Sequence, residues 1–188
     1  MKKTMDELWP KRSKTTVVKT RQEALALASI VEKETALKSE LRKVAGVYSN
    51  RIKQGMMLQA DPTIIYPITK GKPLGRRIRQ SEIADVNDYN TYAMVGLPKG
   101  PIANPSRAAI EAVLNPEATK ALFFVADGKG GHVFADQVSS DACGWWGGLA
   151  EKDIRRMKDL HTNAHRLSIE WSRIEPKPGR WDHAAIDR

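Results

Sequence analysis

The chain has 188 residues, 41% of them hydrophobic, enough for one domain, or one domain plus a fragment, with a real core. No apolar run approaches the length of a spanning helix, and the lysine-bearing start lacks the apolar segment of a signal peptide, so a soluble chain is expected. The net charge is +9, and Cys143 stands alone, which excludes an internal disulfide and any multi-cysteine metal site.

The charge is uneven. Residues 1–80 hold 18 Lys and Arg against seven Asp and Glu, and the remainder is slightly acidic. A basic half fits an anionic partner, such as a carboxylate-bearing polymer, and equally a merely solvated surface. The aromatic-basic alternation that stacks bases is missing, so no nucleic-acid partner is expected.

In chain order, residues 1–20 read as a basic N-terminal arm without periodicity. Thr20 and Glu23 then form a capping-box pattern that starts a helix over "RQEALALASIVEKE". At about 100° per residue, Glu34 falls about 20° from Leu27, inside the apolar stripe of Ile30 and Val31, while Glu32 falls about 140° away and points to solvent. A second helix is expected after Ser39, with Leu41, Val44, Ala45, Tyr48 and Ile52 at helical spacing and Gly55 as its stop. Asp61 is expected to cap a third helix with Pro62 at its first position, and Asn104 to cap a fourth opened by Pro105 and closed at Asn115-Pro116. "ALFFVADGKGGHVFA" reads as two short strands around a glycine-rich turn.

The composition changes near residue 138. Four of the five tryptophans lie in the last 44 residues. "AEKDIRRMKDL" has helical spacing, and "HRLSIEW" alternates like a strand, a pattern that fits a piece of an α/β unit. The fold class expected is therefore α+β: a mostly helical domain with a small β-hairpin over 21–138, and a helix–strand fragment over 139–188.

Glu34 is the sharpest candidate for chemistry. A carboxyl on an apolar face is desolvated, keeps its proton towards neutrality, and so suits general acid catalysis. The plain alternative is a helix-end glutamate in solvent or paired with Lys38. "DGKGGH" lacks the ending of a phosphate-binding loop and precedes a strand, so it reads as a hairpin turn. His132 just after it is either a ligand-facing polar group or a strand residue. The four histidines have no metal-ligand spacing with carboxylates, and Cys143 has no evident base. No metal and no cofactor are expected.

"ALASIVEKETA", "VYSNRIKQGMMLQADPTIIY", "YNTYAMVGLPKGPIANP" and "FFVADGKGGHVFA" resemble the endolytic murein transglycosylase family, MltG or YceG-like, in order and spacing from about residue 5 to 135. The resemblance implies a lytic-transglycosylase-type catalytic domain that cuts the β-1,4 bond from N-acetylmuramic acid to N-acetylglucosamine inside peptidoglycan strands, leaving 1,6-anhydro ends. It implies Glu34, the second glutamate of the E-K-E motif, as the catalyst. It also suggests Gln59, Asp61, Thr63, Tyr66, Asn90, Tyr92, Asn104 and His132 as substrate-binding groups of the cleft, each of which could instead cap a helix or hold a loop. Members of the family are anchored in the inner membrane facing the cell wall and carry a LysM-like module. Neither segment is recognised in this sequence. Pro105-Ser106 replaces the family's "PG".

The tail resembles a second family. "AEKDIRRMKDLHTNAHRLSIEWSRIEPKPGRWD", within residues 142–188, is similar to the first helix and second strand of the family-one glycoside hydrolase barrel, the β-glucosidase group. The "NEP" and "TENG" motifs of its two carboxylates are missing, and a barrel needs about 250 residues. The chain reads as a fusion, and its unpaired tail strand offers an edge for self-association. The alternatives are a β-glucosidase-like hydrolase and a non-catalytic basic glycan-binding module.

Overall fold

The computed structural model describes residues 1–136. The expectations for the rest of the chain, the barrel-like helix and strand among them, lie outside the described residues. The described part contains helices α1 (Lys2–Leu8), α2 (Arg21–Glu34), α3 (Leu41–Lys53), α4 (Asp61–Thr69), α5 (Gln80–Ile83) and α6 (Arg107–Leu114), and strands β1 (Phe123–Ala126) and β2 (His132–Ala135). It is mixed helix and strand, in keeping with the expected α+β class. None of these helices is long and apolar enough to cross a membrane.

Helices α2, α3 and α6 pack on one another and enclose the core, where Leu27, Ile30, Val31, Val44, Val113 and Leu114 have almost no exposure. The capping box at the start of α2 is present. Thr20 Oγ1 accepts from the Glu23 N–H at 3.1 Å, and Glu23 Oε2 accepts from the Thr20 N–H at 3.2 Å. α3 ends as its sequence requires, with Gly55 in the left-handed region at φ 67°.

Three local expectations need correction. The first twenty residues are not an arm. Met5 and Leu8 form the buried edge of α1, Val18 joins the same core, and the Ser13 N–H donates to Leu114 O at 2.9 Å. Two apolar residues among lysines give too short a stripe for periodicity to register. Asp61 is the first residue of α4, not its cap, because its carboxylate is taken by Tyr92. Ser106, not Asn104, caps α6, accepting from the Ala109 N–H at 3.2 Å. Pro105 thus precedes the cap instead of opening the helix, as a serine two residues on offers the N-terminal donors a better acceptor.

The hairpin is antiparallel, with Phe124 opposite Phe134 and Ala126 opposite His132. The chain leading into it is fastened along α3. Glu117 N–H donates to Arg42 O at 3.0 Å, the Asn50 amide donates to Thr119 O and Ala121 O at 2.7 and 3.0 Å, and Arg51 Nε donates to Leu122 O at 2.7 Å. Gly46 makes this approach possible. A Cβ there would lie 2.6 Å from Glu117 O, a backbone atom with little room to yield.

Candidate active site

Glu34 is the last residue of α2, where the chain leaves the helix and the carboxyl emerges from the apolar stripe into a cleft of about 210 Å³. α3 supplies Tyr48 and Arg51 to this cleft, the segment before α4 supplies Leu58 and Gln59, α4 supplies Asp61, and β1 supplies Phe124. Tyr48 is fully enclosed, and its hydroxyl donates to Glu34 Oε1 at 2.9 Å. Phe124 stands edge-on to the Tyr48 ring at 5.8 Å.

Burial pushes the Glu34 carboxyl above the ordinary carboxylate range. The Tyr48 hydrogen bond opposes that shift, the negative Asp61 adds to it, and His132 and Arg51 act against it, so the net direction is upward. The Tyr48 phenol is itself pushed well up by burial and by Glu34, so it remains a neutral donor. Arg51 is buried, and desolvation lowers its pKa, but a guanidinium keeps its charge at any ordinary pH. Among the described residues it pairs with no carboxylate. Its Nε and Nη1 donate to Leu122 O, Leu58 O and Met57 O at 2.7, 2.8 and 3.3 Å, which makes it the pin between α3, the hairpin strand and the cleft wall.

On the far wall, Tyr92 OH donates to Asp61 Oδ1 at 2.6 Å. Burial and that hydrogen bond raise the Tyr92 phenol. His132 stands beside Phe124, with ring centroids 5.3 Å apart, and bonds through Nδ1 to Glu40 Oε2 at 2.7 Å. Glu40 Oε1 also accepts the His132 N–H at 2.9 Å, and the Thr35 hydroxyl donates to Oε2 at 3.0 Å. Burial alone would raise the Glu40 carboxyl, but these hydrogen bonds outweigh it and hold the group below the usual range. The His132–Glu40 pair fastens the hairpin to the turn between α2 and α3.

The structure thus brings Glu34, Gln59 and Asp61 together in one cleft, with Tyr92 bonded to Asp61 and His132 behind Phe124. Thr63 and Asn90 are wholly enclosed. Thr63 bonds Ala60 O and Thr91 Oγ1, while the Asn90 amide donates to the carbonyls of Glu82, Ile83 and Asp85, so both hold loops. Tyr66 packs at a tilt against Tyr89, with ring centroids 5.1 Å apart, and Asn104 is exposed; neither lines the cleft. Glu32 is not simply solvated, since its Oε2 accepts the Ser106 N–H at 2.9 Å. Sequence reasoning missed Arg51, Glu40 and the polar role of Tyr48. A charged residue three positions from Tyr48 on the apolar side of α3 was the available signal for Arg51. A larger hollow of about 410 Å³ lies on the opposite face of α3, between Ser49, Lys53 and Lys120. Its one carboxyl, Glu117, is exposed to solvent, so size and chemistry point to different places and the chemistry favours the Glu34 cleft. Among the described residues no group of His, Cys, Asp and Glu could hold a metal ion.

The sequence model of the YceG-like family matches residues 1–141. The chain belongs to the YceG-like family. It is 40% identical over 110 residues to the endolytic murein transglycosylase of Bacillus subtilis (strain 168), covering 58% of this chain and 30% of that protein. It is 39% identical over 120 residues to the endolytic murein transglycosylase of Streptococcus pneumoniae serotype 2, covering 61% and 21%. A crystal structure of a YceG-like protein from Listeria monocytogenes superposes with a TM-score of 0.58 at 30% identity, covering 74% of this chain and 42% of that one. This YceG-like chain therefore spans less than a third of the length of either transglycosylase.

Proposed function

We propose that the domain is a lytic transglycosylase that cuts peptidoglycan glycan strands at the β-1,4 bond between N-acetylmuramic acid and N-acetylglucosamine. The observation that carries this reading is the part-buried Glu34 carboxyl, raised by desolvation, at the rim of an open cleft. The names of the YceG-like relatives support the substrate class. Glu34 donates its proton to the glycosidic oxygen as the bond to the anomeric carbon breaks. The departing sugar leaves with a new hydroxyl, and positive charge develops on the retained ring. The C6 hydroxyl of that same ring then attacks the anomeric carbon and gives its proton to Glu34. The product is a 1,6-anhydro end, no water is consumed, and the glutamic acid is regenerated. A single acid suffices because the substrate brings its own nucleophile, held close enough for the reaction to be intramolecular. Ordinary glycosidases need a second carboxylate for that role.

Mass spectrometry of purified murein strands after incubation tests the proposal. Glu34→Gln is expected to lower cleavage by about 10²- to 10⁴-fold while leaving the fold intact, since the amide is nearly isosteric but has no acid proton. Equal turnover in the two proteins would remove Glu34 from the mechanism. Reducing ends in place of anhydro ends would instead indicate hydrolysis with Asp61, which shares the cleft, as the second carboxylate. Residues 139–188 take no part in this chemistry, on the ground that the two barrel carboxylate motifs are missing from them.

A further inference from the structure

Gln59 adopts φ 52°. Non-glycine residues avoid this left-handed region because Cβ crowds the backbone. Among the described residues one other non-glycine does so: Lys70, at φ 53°, where it closes α4 as an ordinary helix cap. Gln59 closes no helix. Its conformation is imposed from both sides. Leu58 and Ala60 are each 1% exposed, the Gln59 N–H donates to Thr91 O at 3.0 Å, and the Ala60 N–H donates to Thr91 Oγ1 at 3.0 Å. Thr91 is in turn bonded to Thr63, and Arg51 holds the Leu58 carbonyl. A glycine would take this backbone without strain. What glutamine adds is a side chain, and that side chain is exposed and lines the cleft beside Glu34. Local strain retained by a rigid surround is characteristic of functional positions.

A primary amide offers one acceptor and two donors, the complement of a secondary amide. A murein strand presents two distinctive substituents, the 2-acetamido group and the lactyl carboxylate of muramic acid. The carboxylate fits this place poorly, because the Asp61 carboxylate already lines the cleft and Arg51 has its Nε and Nη1 committed to carbonyl oxygens. The acetamido group is neutral, and Leu58 and Phe124 offer apolar surface for its methyl. We infer that Gln59 is the specificity-determining residue of the site, held in a strained backbone so that its amide reads the 2-acetamido group of the sugar beside Glu34. This rests on the glycan substrate proposed above.

Two neutral β-1,4 tetramers serve as probes, one of N-acetylglucosamine and one of glucose, titrated calorimetrically against the full chain and its Gln59→Gly variant. The wild type is expected to favour the acetylated tetramer by about tenfold or more, the scale of a lost pair of buried hydrogen bonds. In Gln59→Gly the preference should shrink to about twofold, while the thermal midpoint stays equal or rises as the strain is relieved. Gln59→Asn, which tolerates the left-handed region and keeps a shorter amide, should fall between. An unchanged preference in Gln59→Gly, a lowered midpoint, or a wild type that binds both tetramers alike or neither would overturn the inference. A wild type that shows the preference yet cleaves no murein would remove the transglycosylase reading and leave Gln59 as the reader of acetylated glycan.

Discussion

A carboxyl that resists ionisation makes a folded protein sensitive to pH in a fixed direction. The folded Glu34 holds its proton above the ordinary value of 4.5, so between that value and its raised one the native chain binds more protons than the unfolded chain. Its contribution to stability is complete below the ordinary value and is lost as pH rises through the raised one. Glu34→Gln lacks this loss. Its thermal midpoint should match the wild type near pH 4 and exceed it near pH 8, which scanning calorimetry at the two pH values checks. The neighbours of Glu34 give a second handle of opposite signs. The Tyr48 hydroxyl favours the ionised carboxylate, so Tyr48→Phe should raise the Glu34 pKa further and move the alkaline limb of the murein-cleavage profile to higher pH. Asp61 disfavours ionisation, so Asp61→Asn should move that limb to lower pH. Arg51 and His132, the other charged or titratable groups that shift Glu34, have no bond to Tyr48 or Asp61 and keep their partners in both variants, while Tyr92 loses its carboxylate acceptor only in Asp61→Asn. Limbs that move together, or not at all, would show that Glu34 does not set the profile.

Helix α2 was legible almost to the residue, because a reciprocal cap fixes its start and the apolar run through Val31 carries it into the core, where residues 26–31 are buried all round. The same phase singled out Glu34. α3 was equally legible as an element, yet its part in the site was not. Tyr48 counts as apolar in any stripe, and only contact with Glu34, 14 residues earlier, turns its hydroxyl into a functional group. The caps of α4 and α6 were misplaced by one and two residues, because proline marks a helix start only approximately and the choice between Asn104 and Ser106 depends on which oxygen reaches the first free N–H groups. The His132–Glu40 pair joins residues 92 apart and leaves no local trace at all. Gly46 is the element-scale position with the clearest cost. Gly46→Ala places a Cβ against the Glu117 carbonyl and should destabilise the domain by about 1–3 kcal/mol, despite alanine's better helix propensity. A urea midpoint equal to that of the wild type would mean that residues 116–122 lie less tightly on α3 than described.

At the scale of the whole molecule, the walls of the cleft come from widely separated parts of the chain. α2 supplies the acid, α3 the tyrosine that bonds it, and the last described hairpin the aromatic wall and the His132 clasp. The described residues contain a hydrophobic core of their own, which runs from Met5 on α1 to Leu114 on α6. A chain ending at Gln137 is therefore expected to unfold cooperatively and to keep murein cleavage, whereas one ending at Asn115 should lose cleavage because Phe124, Leu122 and His132 are gone. Cleavage by the shorter chain would show that the hairpin is dispensable. The fastening of the hairpin along α3 has a temporal side as well. A ribosome adds roughly 5–20 residues per second, so the interval between making Glu40 and making His132 is roughly 5–20 seconds. For most of that interval the acid and its tyrosine exist without the wall that completes their cleft. On the proposed reading, a glycan-cutting domain built in this order gains its complete cleft only with its last strand, after the acid has already been made.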